Sequence, residues 1–465
     1  MQDRRVRSGR RGHFHTALTI GVAAAVLLAA CGSSGSSKGG TATTAGGTLP
    51  QSTTLGQGVT ATTIKLGVVI IDYKSIASFI DFTRGNQQQA YQVEIDDINK
   101  HGGIDGRQIV PSYQTYIPVG STGPTKACTS LTEDTKVFAT IGVLIDPTGA
   151  SQLCFSKQHN SILITHELSQ SEIDQSPPAL LLTPDITAER EAKSQIALLG
   201  KEGLLKDKKV AILAETSTKD RITSAIQPAF EALHVPLGTS GVLATGGDPD
   251  TTQAQAQLDS FIERWKGENV NAVFISGLDT VSKVFVQKLK AGMPNVMLMT
   301  DGDSSAKGAG QDAVRAKLDP NPYAGMYSLT GNDDQTTFEL PAVQKCVSVY
   351  EAATHTKVIA PNDVKPGKDG KRDEVFQTVE DVCNDLSFFQ LVANKVGKYL
   401  NNDNWTNTVN SMGTVTGLLT TNFASLGKGK YDADNAFSLV KFDPTVGDNG
   451  DWKAITPLGD ITKEQ

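Results

Sequence analysis

The chain has 465 residues, room for two to four domains at roughly 100–200 residues each. With 38% hydrophobic and 20% charged residues, 44 Gly and 19 Pro, it is neither a membrane channel nor a wholly disordered chain. Its formal charge of −7 is unevenly placed: Arg4, Arg5, Arg7, Arg10 and Arg11 against Asp3 give residues 1–30 a net +4 and leave −11 on the rest. An acidic body without a sustained Lys/Arg run argues against nucleic acid as a partner.

Residues 1–30 read as an export signal, with a basic flank followed by the uncharged, apolar run Thr16–Ala30. That run is shorter than the roughly 20 residues a membrane span needs. It ends in Leu28-Ala29-Ala30-Cys31, which resembles the bacterial lipobox. The resemblance implies cleavage before Cys31, a diacylglycerol on its sulfur, and an extracytoplasmic body lipid-anchored to the outer face of the membrane. Gly32–Thr60 holds 20 Gly, Ser or Thr among 29 residues and one charge, Lys38, so residues 31–60 are expected to be the lipidated cysteine and a flexible tether. The random-coil reach of such a tether is roughly 30 Å.

Removing Cys31 from the five cysteines leaves Cys128, Cys154, Cys346 and Cys383, an even set suited to an oxidising compartment. Three pairings are open, and sequence proximity favours Cys128–Cys154 with Cys346–Cys383, each stapling neighbouring helices. Two pairs of buried free thiols are the alternative. No CxxC or Cys/His cluster suggests a metal.

From Thr63 the chain alternates short apolar runs with amphipathic stretches. Strands are expected at Ile64–Ile70, Arg107–Ser112, Val137–Gly142, Ser161–Thr165, Val210–Leu213, Ala272–Ser276 and Val296–Met299. Helices are expected through Ala90–Ile98, Lys126–Asp134, Ala188–Leu199 and Val382–Leu400. Repeated β-α-β units mean an α/β protein with parallel sheets and right-handed crossovers, in two doubly wound lobes. Ligands of such sheets bind beyond the carboxyl ends of the strands. Here those segments are Ile71–Phe82, Leu144–Ala150, His166–Gln170, Glu215–Arg221, Gly277–Ser282 and Thr300–Ser305.

Over residues 62–465 the chain resembles the leucine/isoleucine/valine-binding family, the type I periplasmic solute-binding proteins of ABC importers. Ile98-Asn99-Lys100-His101-Gly102-Gly103-Ile104-Asp105-Gly106-Arg107 resembles the family's IN-x-x-GGI-x-G-[KR] turn. The family often has a disulfide joining the helix that carries Cys154 to the one before it, which supports Cys128–Cys154. It also implies a three-segment hinge, with crossings placed near Thr183, Leu329 and Leu426. The first lobe is then 62–184 plus 330–426, and the second 185–329 plus 427–465.

The departures concern the ligand. Amino-acid receptors of the family hold a substrate carboxylate with Ser/Thr hydroxyls; here Leu144-Ile145-Asp146-Pro147-Thr148 and His166-Glu167-Leu168 replace those loops. An acid at such a position repels a carboxylate by on the order of 1 kcal/mol in water. The family's second-lobe tyrosine falls near Lys219, and its ammonium-binding acid near Asp301 and Asp303. The candidate contacts are Tyr73, Ser75, Asp146, Thr148, His166, Glu167, Ser217, Lys219, Asp279 and Asp301, with Phe79 and Phe82 beside the first.

Gly308–Ala313 fits G-x-G-x-x-A but begins too far from its strand to cradle a nucleotide, and P-loop, G-x-S-x-G and zincin motifs are absent. The expectation is a monomeric, non-enzymatic binding protein without cofactor or metal. It captures a small polar, amino-acid-like or amide-like solute, and its partners are an ABC permease and ATPase. The alternative is a surface receptor that senses the same class of ligand through a signalling chain.

Overall fold

Thr63–Ile71 (β1) reads TIKLGVVII and is buried along nearly its whole length, the pattern of a parallel strand covered on both faces. The computed structural model describes residues 51–463 except 79, 81, 147, 245–251, 278–281, 303–305, 417, 419–422 and 448–449. In the first sheet β1 lies between Gln108–Tyr116 (β2) and Ala139–Ile141 (β3), followed by Ile162–Ile164 (β4) and Leu181–Leu182 (β5), all parallel. The second sheet runs Gly241–Leu243 (β7), Val210–Glu215 (β6), Ala272–Ser276 (β8), Met297–Thr300 (β9) and Tyr327–Thr330 (β10), also parallel. It ends with antiparallel Ala436–Asp443 (β11) and Asp451–Ala454 (β12). The chain is therefore α/β with two doubly wound sheets.

The cores divide accordingly. One gathers side chains from Val59 to Leu182 and from Val343 to Ala433. Two more cover opposite faces of the second sheet, with Leu213 and Ile275 on one and Ile212 and Phe274 on the other. The principal helices here are Gln87–Lys100 (α1), Ala188–Lys201 (α2), Pro341–Thr354 (α3) and Val375–Val396 (α4). Phe388 and Phe389 of α4 are fully buried. Among the described residues no helix is long and apolar enough to cross a membrane.

Three chain segments connect the sheets: Thr183–Thr187 between β5 and α2, the residues after β10, and Gly427–Asn435 before β11. Two of them run side by side, with Thr183 N–H donating to Tyr431 O at 3.0 Å and Ala433 N–H donating to Thr183 O at 3.0 Å.

Several elements differ from the sequence expectation for identifiable reasons. β2 continues past Ser112 to Tyr116, because Pro111 lies on an edge strand where its missing N–H costs no ladder bond. α4 starts at Val375 and stops before Gly397, whose φ of 73° ends it short of Leu400. The last part of the expected tether is laid on the body. Gly56 N–H donates to Leu400 O at 2.8 Å, Asn401 and Asn404 donate to Thr54 O and Ser52 O at 2.7 and 2.9 Å, and Val59 is buried. Gly56 and Gly58 suit this arm because it passes backbone against backbone: a Cβ would fall 3.0 Å from Asn401 Cα and 2.6 Å from Phe138 N.

The turn after α1 shows what its motif residues do. Asn99 pairs with the backbone of Ile109 through both its amide groups, at 2.7 and 2.9 Å. Arg107, almost fully buried, donates to Thr60 O at 3.0 Å and Lys398 O at 2.6 Å. Gly103 has φ 70°, and a Cβ there would fall 1.9 Å from Arg107 O. Gly103→Ala is expected to cost at least about 2 kcal/mol, since the left-handed conformation alone costs an L-residue roughly 1–2 kcal/mol and the overlap adds to it. Urea denaturation checks this; a loss below 0.5 kcal/mol would refute the close-approach argument.

Both favoured disulfides, Cys128–Cys154 and Cys346–Cys383, are present. Gly308–Ala313 lies inside the helix Ala306–Arg315, where a Cβ on Gly310 would meet the Phe442 ring at 2.6 Å. Its small residues serve helix–sheet packing.

Candidate ligand-binding cleft

In each sheet the loops of interest follow the carboxyl ends of the parallel strands, and some of them meet. Glu172, after β4, feels the field of Arg221, after β6, and of Glu189 at the start of α2. Gln170 N–H donates to Glu189 Oε2 at 2.7 Å. Burial raises the Glu172 carboxyl despite its capping hydrogen bonds with Ser169. The segments that follow β4 and β6 therefore lie near one another.

On the first-sheet side, Tyr73 follows β1 and lies edge-to-face with Phe82 at 5.6 Å. The Arg84 guanidinium stands over both rings, 5.9 and 5.3 Å from their centroids, within 3.4 Å of Glu374 and 3.5 Å of Asp381. Burial raises the Tyr73 phenol, with Arg84 opposing and Asp381, Glu167 and Glu374 adding to the shift. Glu167 is exposed and held at φ 57°, a left-handed conformation uncommon for a non-glycine residue and concentrated at functional sites.

His166 closes the end of β4. Its Nδ1 is 2.8 Å from Asp185 and its Nε2 3.0 Å from the fully buried Asp385, which also accepts from Tyr91 Oη at 2.6 Å. Burial disfavours the imidazolium, but the two carboxylates outweigh it and raise the ring well above its ordinary value. With an acceptor on each nitrogen, His166 is a cation that ties Asp185, on the first crossing, to α4.

Asp381, one turn earlier on α4, has its carboxyl raised to about 6 by burial in the crevice, with His166 and Arg84 opposing and Asp385 and Asp185 adding. Its neighbour Glu380 is raised to about 8 by burial and by Asp381, Asp334 and Asp185.

The other sequence-selected residues differ in what their groups already do. Asp146 accepts from Ser121 Oγ, Thr148 N–H, Thr148 Oγ1 and Ser151 N–H at 2.7–3.0 Å, so its carboxylate organises its own loop, with Thr148 as partner. Burial works against ionisation there, but these donors keep the carboxyl below its ordinary value. Ser75 is turned onto Asp72 by both its N–H and its hydroxyl. Ser217 and Lys219 are exposed after β6. Asp301 is fully buried after β9, accepts from Gly277 N–H at 3.2 Å and lies 3.9 Å from Arg221. Cys31, Phe79, Asp279 and Asp303 lie outside the described residues.

Tyr91, Arg84, Asp185, Asp381 and Asp385 were not selected from sequence. Asp381 and Asp385 sit four apart in a largely buried helix, and two acids on one face of a core helix were the signal available.

No family model matches the sequence, and no curated protein is similar to it. Solved structures do match. A fatty acid ABC transporter substrate-binding protein from Thermomonospora curvata is 16% identical, with 88% of this chain and 96% of that one covered at a TM-score of 0.56. A leucine-binding protein from Thermotoga maritima is 10% identical, covering 85% and 99% at a TM-score of 0.58. A Rhodopseudomonas palustris ABC transporter solute-binding protein, solved in complex with 3,4-dihydroxybenzoic acid, is 14% identical, covering 86% and 99% at a TM-score of 0.53. At these identities the likeness speaks for architecture. Two parallel-dominated sheets, three connecting segments and this resemblance over most of the chain assign it the type I periplasmic-binding-protein fold.

Proposed function

We propose that the chain is an extracytoplasmic solute-binding lipoprotein of an ABC importer. It captures a small polar metabolite, amino-acid-like or amide-like, between a first lobe of residues 62–184 plus 330–426 and a second of 185–329 plus 427–465. It then passes the solute to a permease and its ATPase. The observation that carries the reading is that segments after the carboxyl ends of the strands of two sheets lie near one another while three segments link the sheets, which supports a ligand crevice with hinge closure. Binding stabilises the closed form by contacts that exist only there, and no bond in the solute is broken.

The crevice wall bounds the ligand. Tyr73 offers an aromatic surface, while Glu167 and Asp381 favour a cationic or N–H-donating group over a carboxylate. Ser217, Lys219 and Asp279 are proposed as contacts from the second lobe, with Ser75, Asp146, Thr148, His166 and Asp301 shaping the site. A thermal-shift screen of the body against a metabolite library tests this. A true ligand at 100 times its dissociation constant adds about 2.7 kcal/mol, and Tyr73→Ala should abolish that gain. No shift and no compaction in scattering with any small polar solute would overturn the reading.

The anchor has a test of its own. The arm Ser52–Thr60 runs beside the amino end of β1, where Lys65 N–H donates to Gly58 O at 2.8 Å. Cys31→Ser is expected to shift the protein from the membrane fraction to the medium, and retention at the membrane would refute lipidation.

A further inference from the structure

One buried group away from the crevice wall has no part in solute capture. The Glu94 carboxylate on α1 and the sulfurs of Cys346 on α3 and Cys383 on α4 lie within 4.8 Å of one another. Glu94 is 8% exposed, and its Oε1 has no hydrogen-bond partner. The two cysteines are unequal: Cys346 is half-buried, whereas Cys383 is 3% exposed. The charged groups acting on Glu94 are Asp97 on its own helix and Lys345 on α3; α4 meets it with Cys383. Burial, with Asp97 adding and Lys345 opposing, raises the carboxyl to about 8, so it carries a proton at neutral pH.

A partly exposed cysteine, a buried partner cysteine and a buried acid beside them are the parts that thiol–disulfide exchange requires. Attack needs a reachable sulfur, and departure is faster when the leaving thiolate is neutralised. We propose that Cys346–Cys383 is a redox-exchangeable site, attacked at Cys346 by a dithiol, with Glu94 donating the proton to Cys383. One thiolate of the dithiol bonds to Cys346 Sγ as the Cys346–Cys383 bond breaks. The electron pair goes to Cys383 Sγ, which takes the Glu94 proton. The second thiolate of the dithiol attacks its own partner sulfur and releases Cys346 as a thiolate that is protonated by water. The dithiol is oxidised to a disulfide, the cystine is reduced to two thiols, and Glu94 recovers its proton from solvent. Cys383 stands between Asp381 and Asp385 on α4, so opening the bridge unties from α3 the helix that presents the crevice carboxylates.

The other bridge is an internal control. Cys128 and Cys154 are 0% and 2% exposed, and the group beside them is His159. The folded, oxidised protein is treated with dithiothreitol, and the two bridges are followed by differential alkylation and mass spectrometry. Cys346–Cys383 is expected to open at least tenfold faster than Cys128–Cys154. Glu94→Gln is expected to slow it about tenfold or more per dithiothreitol thiolate while leaving the other bridge unchanged. Equal rates for the two bridges, or an unchanged rate in E94Q, would overturn the proposal. If E94Q does not fold, the wild-type rate per thiolate decides: a fall as pH rises through about 8 supports the donor, and a flat profile refutes it.

Discussion

Arg190→Ala is expected to remove about 3 kcal/mol or more of folding stability, because it strips the main partner from a buried charge at the crossings. Asp432 is 2% exposed and receives Arg190 Nε at 2.6 Å, Thr187 N–H at 2.9 Å and Lys430 Nζ at 3.4 Å. The same guanidinium donates to Asn435 Oδ1 at 2.8 Å and to Asp434 O. Burial works against ionisation of Asp432, but Arg190, Lys430 and the Thr187 amide together hold its carboxyl below its ordinary value. Breaking a buried pair from one side costs roughly 3–5 kcal/mol, since the remaining carboxylate keeps its desolvation penalty. Arg190→Lys preserves the charge but loses the fork that reaches three acceptors, so it should fall between wild type and alanine. Adding Asp432→Asn to Arg190→Ala should recover part of the loss. Equilibrium urea denaturation measures all three, and a single-variant loss below 0.5 kcal/mol would refute the argument.

Stability is expected to be greatest near pH 5 and to fall from there to pH 8. Glu94 and Glu380 are raised from ordinary carboxyl values to about 8, and Asp381 to about 6. For each, the folded state holds a proton that the unfolded state has released. Stability is therefore lost as pH rises from the unfolded value through the folded one, at up to about 1.4 kcal/mol per pH unit for a fully buried group. Partial exposure of Glu380 and Asp381 reduces their share. His166 acts in the same direction: its folded value is raised, so its contribution is complete below about 6.5 and disappears as pH climbs through that higher value. Asp432 and Asp146 act oppositely, because their lowered carboxyls lose stability only as pH falls below about 4. Thermal unfolding at pH 5.5 and 8.5 should show the higher Tm at pH 5.5, and Glu94→Gln or Glu380→Gln should narrow the gap. A Tm that is higher at pH 8.5 would contradict the assignment.

Much of the architecture was legible because parallel strands and amphipathic helices are written locally. Ala272–Ser276 was bounded correctly from its apolar run, and α2 from its first residue, since both are decided by neighbours a few positions away. Gly103 was legible too: a left-handed glycine ending a helix is a local device. Sequence proximity also favoured both disulfides, each joining cysteines fewer than 40 positions apart.

The site was legible only at its strand ends. His166 could be chosen because it follows a strand, but its partner Asp385 is 219 positions away, on a helix whose apolar pattern marked it as core. Arg190 and Asp432 are 242 positions apart and meet only because two crossings run side by side. Ser52–Thr60 has the composition of free tether, and the Leu400 carbonyl with the Asn401 and Asn404 side-chain amides gives it somewhere to bind. By itself the sequence determined the strand and helix periodicities, and hence the two-sheet α/β class, since each depends on the order of adjacent residues. The tertiary structure alone decided which charges neutralise one another, which acids keep their protons and which cysteine is the less buried. Those outcomes depend on distance and solvent access between distant segments, and three crossings of the chain set both.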